Sequence, residues 1–195
     1  MNYVEGRARP ILRPLIRGQL PPLLTANNQR RLAVWACLRA YIVESGDRRH
    51  LKFSTRDERL AFAANNQRIP PNNTIVWLAR FPGPEHRRGD LCGSKRVVLV
   101  THTATVDALQ AFTFFLGKVA FQVLQWRGNT VRIQGQEPSN VGILLQNWKS
   151  RVIEIWPKHF RRGADLPDPL TVSEADAFFK RFRGPARHAN LSGAV

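Results

Sequence analysis

The spacing of apolar residues changes once along this chain, and that change constrains the fold more than any other feature. Up to about residue 66 the apolar side chains recur at helical intervals; from Thr74 they come in short β-branched and aromatic runs. Helices first and strands afterwards point to an α+β domain, with N-terminal helices packed on an antiparallel sheet and a C-terminal helix. The clearest helix follows Thr25 or Asn27 as cap, carries Leu32, Trp35, Ala36, Leu38, Ile42 and Val43, and stops at Gly46-Asp47. A second opens at Ser54 or Thr55, because Thr55-Arg-Asp-Glu58 has capping-box spacing, and runs to about Asn66 before Pro70-Pro71. Ahead of both, Pro10 and Pro14, four apart, rule out an uninterrupted helix over residues 8–17 and leave a short helix or an extended arm. Residues 1–24 are therefore expected to be a basic, Pro-containing arm whose Ile11, Leu12, Leu15 and Ile16 dock on the core.

Strands are expected at Thr74–Ala79, Arg96–Thr101, Thr130–Ile133 and Val152–Trp156, with residues 84–94 as an exposed connection. The stretch 105–126 fits a helical seam through Leu109, Phe112, Leu116, Val119, Val123 and Trp126. It also fits two strands turning at Gly117-Lys118. A glycine inside a helix costs about 1 kcal/mol, whereas a Gly-x pair suits a two-residue turn, so the hairpin is preferred. Ser173 is the expected cap of the last helix, from Glu174 to about Phe182. The globular domain is then 25–183, and 184–195 is expected to be a disordered tail.

Function is constrained by charge. The chain holds 30 Lys plus Arg against 14 Asp plus Glu, a net charge of +16, and 24 of the bases are arginine. Such a surplus opposes compaction, and it is understood most economically as meeting a polyanion. Guanidinium grips phosphate in a two-pronged fork that ammonium cannot form. An apolar share of 43%, with five Trp and eleven Phe, supports a real core, so this is no disordered basic tail. No apolar run approaches the roughly 20 residues needed to span a bilayer, so no membrane partner is expected. The N-terminal stretch lacks the apolar run of a secretory signal. Cys37, in an apolar helical pattern, is expected in the core, and Cys92, in a loop-like stretch, as an exposed thiol. A reducing cytoplasm is the expected location.

The expected partner is nucleic acid, DNA in preference to RNA, contacted at phosphates by Arg30, Arg31, Lys158, Arg161 and Arg162, with Arg7, Arg9 and Arg13 as an arm. Trp126, before Arg127-Gly128, is the best candidate for a base-stacking ring; Trp35, Trp77 and Trp156 belong to apolar patterns. Little else carries chemistry. No histidine or cysteine pair has metal-ligand spacing, and neither GxSxG nor a phosphate loop ending in Gly-Lys-Ser/Thr occurs, so no metal, cofactor or catalytic residue is assigned. His102, near Asp107, is the one isolated candidate for acid–base work, and a metal-dependent nuclease around it is a rival reading. A second rival is a subunit of a nucleoprotein, defence or phage assembly, acting through protein contacts.

Several short motifs recur in order between residues 2 and 182: Glu5 and Pro10 in ARPILRPLIRG; Leu32-Ala33-x-Trp35-Ala36 with Arg39 and Glu44; Thr113, Gly117 and Gln122; and Ile155-Trp156-Pro157. Together they resemble the C-terminal α+β region of bacterial and phage HNH-endonuclease-like proteins of unassigned function. In that family a zinc module precedes a Pro-Leu-rich segment, an LAxWA helix, a TxxxGxxxxQ strand pair and a terminal IWP. The resemblance implies the hairpin at 109–126 and places the zinc ligands ahead of Met1. It carries over no metal ligand or general base. It implies binding without cutting, or a separate chain that supplies the nuclease.

Overall fold

The structure, a computed structural model, describes residues 3–19, 23–46, 53–64, 69–81, 92–100, 105–126, 151–157, 163 and 165–180, with backbone alone at 92–100, 105–109 and 179–180. Among these residues helices α1 (Tyr3–Ile16), α2 (Ala26–Gly46) and α3 (Arg56–Ala64) precede strands β1 (Thr74–Arg80), β2 (Cys92–Val100), β3 (Thr105–Leu116), β4 (Val119–Trp126) and β5 (Val152–Trp156). Helix α4 (Val172–Lys180) closes the series. The strands form one antiparallel sheet in the order β2-β3-β4-β1-β5, so the fold is α+β as the change of period predicts.

Both faces of the sheet are covered, which is why β4 is buried at nearly every position rather than at every second one. On one face Val76, Leu78, Phe112, Phe114, Phe121, Val123 and Ile155 meet α1 and α2, with Trp35 set edge-on against Phe114 and Phe121. On the other, Trp77, Ala79, Ala111, Phe115, Ala120 and Leu124 meet Leu170, Ala175 and Phe178 of the α4 segment.

The β3–β4 turn at Gly117-Lys118 is as expected, and Gly117 has φ +56°. A Cβ there would run into the Ile16 carbonyl, so glycine is required twice over. The turn is bolted to its surroundings: Lys118 N–H donates to Ile16 O at 3.0 Å, and Phe81 N–H donates to Lys118 O at 2.8 Å.

Three expectations need correction. Tyr3–Ile16 is one continuous helix despite Pro10 and Pro14. Pro10 is exposed and Pro14 half-buried, away from the stripe that Val4, Ala8, Ile11, Leu12 and Leu15 bury. Burying five apolar side chains, at roughly 1–3 kcal/mol each, outweighs about 3 kcal/mol per proline. Helix α1 then ends in a Schellman motif, with Gln19 N–H on Pro14 O, Gly18 N–H on Leu15 O, and Gly18 at φ +77°. Second, β2 starts at Cys92, inside the expected connection, because Cys92, Gly93 and Ser94 pair with Phe114, Thr113 and Phe112 of a twelve-residue partner strand. Third, α4 is capped by Thr171 rather than Ser173: Glu174 N–H donates to Thr171 Oγ1 at 3.2 Å, and Thr171 N–H to Glu174 Oε2 at 2.7 Å. Thr171-x-x-Glu174 is a complete capping box, which Ser173 cannot form. The expected strand at 130–133 and the tail at 184–195 lie outside the described residues.

Candidate nucleic-acid interface

Helix α2 is capped as expected by Thr25, whose Oγ1 accepts from Asn28 N–H at 3.2 Å. One turn later Arg30 and Arg31 leave the helix toward different sides. Arg30 is exposed and donates to Asn27 Oδ1 at 3.1 Å; Arg31 is half-buried. Arg7 stands on the flank of α1, donating to the Tyr3 hydroxyl at 2.7 Å with its guanidinium 5.2 Å from that ring's centre. Packing α1 on α2 brings the three together: Arg7, Arg30 and Arg31, with Tyr3, Val34 and Ile69, line a cleft of about 490 Å³. No carboxylate is among its described lining residues. The Nε of Arg31 is buried without a hydrogen-bond partner, a deficit of about 1–3 kcal/mol. The first turn of α1, which supplies Tyr3, adds the positive end of its dipole. Three arginines lining one cleft, with no carboxylate among its described lining residues, suit an oxyanion.

Arg9 and Arg13 lie exposed on the outer side of α1, four residues apart and away from the buried stripe, so they extend the basic surface without entering the cleft. Lys158, Arg161 and Arg162 lie outside the described residues, as does His102.

Beyond Ile69, which it shares with the basic cleft, lies a second cavity of about 370 Å³. Tyr41, Phe53, Phe62, Thr74, Gln125 and Trp126 are among its lining residues. Trp126 is the ring singled out above for stacking; it is half-buried, and its backbone N–H donates to Asn73 O at 3.2 Å. Burial, more than any neighbouring charge, pushes the Tyr41 hydroxyl well above its ordinary range.

Thr74 and Gln125 belong to a polar row that crosses the sheet. Thr74 of β1 pairs in register with Gln125 of β4, which pairs with Gln110 of β3. These side chains are 0%, 5% and 2% exposed, yet Thr74 Oγ1, Gln125 Oε1 and Gln110 Oε1 have no hydrogen-bond partner. At about 1–3 kcal/mol each, three such atoms would cost a large part of the 5–15 kcal/mol that holds a domain together. Native interiors rarely leave such groups unmatched. Sequence reasoning missed this row. Its signal was Gln122 and Gln125 in an otherwise apolar β4: Gln122 donates to Thr113 Oγ1 at 2.6 Å and Phe178 O at 3.1 Å, whereas Oε1 of Gln125 has no partner.

The residues that carry the family resemblance sit elsewhere. Arg39 pairs with Glu5 at 2.9 Å and lies over Trp35; Glu44, Thr113 and Gln122 are buried and hydrogen-bonded. None of them lines either cavity.

No protein-family model, no curated protein and no solved structure matches this chain. Among the described residues no three His, Cys, Asp or Glu side chains gather as a metal site would require, and no helix is long and apolar enough to cross a membrane. Cys37 is fully buried, and burial pushes its thiol far above the usual range, so it packs as a small apolar residue. Cys92 lies in β2, described by its backbone alone.

Proposed function

We propose that this protein binds nucleic acid, DNA in preference to RNA, through phosphate contacts from α1 and α2, and that it does not cut the strand by itself. The observation that carries this reading is the meeting of Arg7, Arg30 and Arg31 around one cleft with no carboxylate among its described lining residues. Arg9 and Arg13, on the outer side of the same helix, lengthen the track that a phosphate backbone would follow. The preference for DNA, and a nuclease supplied by a separate chain, come from the HNH-type resemblance. A cytoplasmic setting goes with the free thiol of Cys37. Phosphate contacts of this kind fix position and orientation but read no sequence.

The test is affinity for short duplex DNA as a function of salt. Each phosphate contact contributes about 0.9 to the negative log–log slope, so Arg7→Gln, Arg30→Gln and Arg31→Gln together are expected to flatten it by about 3. The loss should be uniform across unrelated DNA sequences. A wild-type slope near zero excludes the reading.

A further inference from the structure

The basic cleft holds more than cations. Tyr3 and Ile69 line it together with Arg7, Arg30 and Arg31, and both stay open to solvent, at 52% and 53% exposed. Exposed apolar side chains scattered singly need no partner, but these two share one cleft with three arginines. We infer that the cleft takes an unpaired DNA strand, one base lying on the Tyr3 ring while its phosphate is held by the arginines. The inference rests on the phosphate reading and deepens it by naming the form of the strand.

Phosphate contacts alone call for positive charge, and an exposed ring adds nothing to them. A duplex turns its phosphates outward and keeps its base faces stacked inside. It can meet Arg7, Arg30 and Arg31, but it has no base face to lay on Tyr3. An unpaired strand offers phosphates and base faces together. Single strands are held in general by a positive groove combined with aromatic rings on which bases stack, and arginine adds attraction to the π-systems.

The described geometry suits such a strand. Arg7 donates to the Tyr3 hydroxyl at 2.7 Å and its guanidinium lies 5.2 Å from the ring's centre, so the ring is oriented before a base arrives and loses less freedom on binding. Val4 and Val34, each 3% exposed, give the same cleft an apolar side. Its volume of about 490 Å³ falls in the range of roughly 300–1,000 Å³ that small ligands occupy, which is room for one nucleotide unit. Trp126, the ring expected from the sequence to stack on bases, lines the other cavity. Every base has a π-face, so a base on Tyr3 tightens binding without reading sequence.

The experiment measures, on the full chain at one salt concentration, affinity for a short single-stranded DNA, for a wholly abasic strand of the same length, and for the duplex. The bases are expected to tighten binding of the single strand about 5- to 150-fold over the abasic one. Tyr3→Leu keeps an apolar side chain and removes the ring, at a position outside the buried stripe of α1. It is expected to lose that gain and to keep wild-type affinity for the abasic strand and the duplex, which also shows that the variant is folded. Equal affinity of the wild-type chain for base-bearing and abasic strands overturns the inference. So does a Tyr3→Leu variant that retains the gain, or one that weakens duplex binding as much as single-strand binding. A steep salt slope on the abasic strand leaves the phosphate reading standing when the base contact fails. A base gain that Tyr3→Leu abolishes, with a salt slope near zero, does the reverse.

Discussion

Glu44 shows how a single buried carboxylate can hold a connection in place. It is 4% exposed and accepts from Ser54 N–H at 2.8 Å and from the Ser54 hydroxyl, while Arg59 donates to Ser54 O at 2.6 Å and Ser54 Oγ at 2.9 Å. Replacing Glu44 by Gln puts an amide donor against a donor. The expected loss is about 1–3 kcal/mol, visible as a lower urea midpoint with unchanged slope. Nothing in the helix pattern around Glu44 announces this role, because its partner stands ten residues on. The same limit applies to the sites. Arg7, Arg30 and Arg31 are legible as bases, but only the crossing of α1 on α2 makes them neighbours. Thr74, Gln110 and Gln125 look like ordinary strand residues until register aligns them. Side chains that meet through tertiary packing carry no local mark.

Elements were more legible where local chemistry decides them. Thr55 and Glu58 exchange hydrogen bonds at 2.6 and 3.1 Å, as their spacing predicts, and the Gly117-Lys118 pair makes the turn its composition suggests. Helix α1 was missed because packing overrides propensity there. Pro10→Ala is therefore expected to stabilise the protein by about 1–3 kcal/mol, since alanine restores the N–H that Gly6 O lacks at an exposed position. Differential scanning calorimetry checks this, and a lower midpoint would mean that α1 is not helical through Pro10. The start of α4 makes a pH prediction. The Thr171 N–H, more than the nearby Arg151, holds the Glu174 carboxyl below its ordinary range. A depressed carboxylate stabilises fully above its unfolded value, about 4.3, and loses that contribution as pH falls through the lower folded value. Compared with Glu174→Gln, the wild-type chain should lose more stability on acidification in this window and match it at the acid end.

On the scale of the whole molecule, the surplus of +16 must be accommodated by the folded state before any partner arrives. Compensation is local, as where Glu5 meets Arg39 and Glu174 meets Arg151, while the cleft gathers Arg7, Arg30 and Arg31 with no carboxylate among its described lining residues. Folding brings these charges closer than the unfolded chain does, so at low ionic strength self-repulsion opposes the fold. Added salt shortens the screening length from about 30 Å at 0.01 M to about 8 Å at 0.15 M, and the thermal midpoint of the free protein should climb over that range. Duplex DNA should act in the opposite sense. At low salt it binds the folded chain and raises the midpoint by mass action; as salt weakens that binding the increment shrinks. The two melting curves, with and without DNA, are therefore expected to converge from opposite directions as salt rises. Coincident curves at low salt would show that the charge meets no phosphate backbone in the folded state. A free-protein midpoint that falls with salt would show instead that the arginines are matched within the fold.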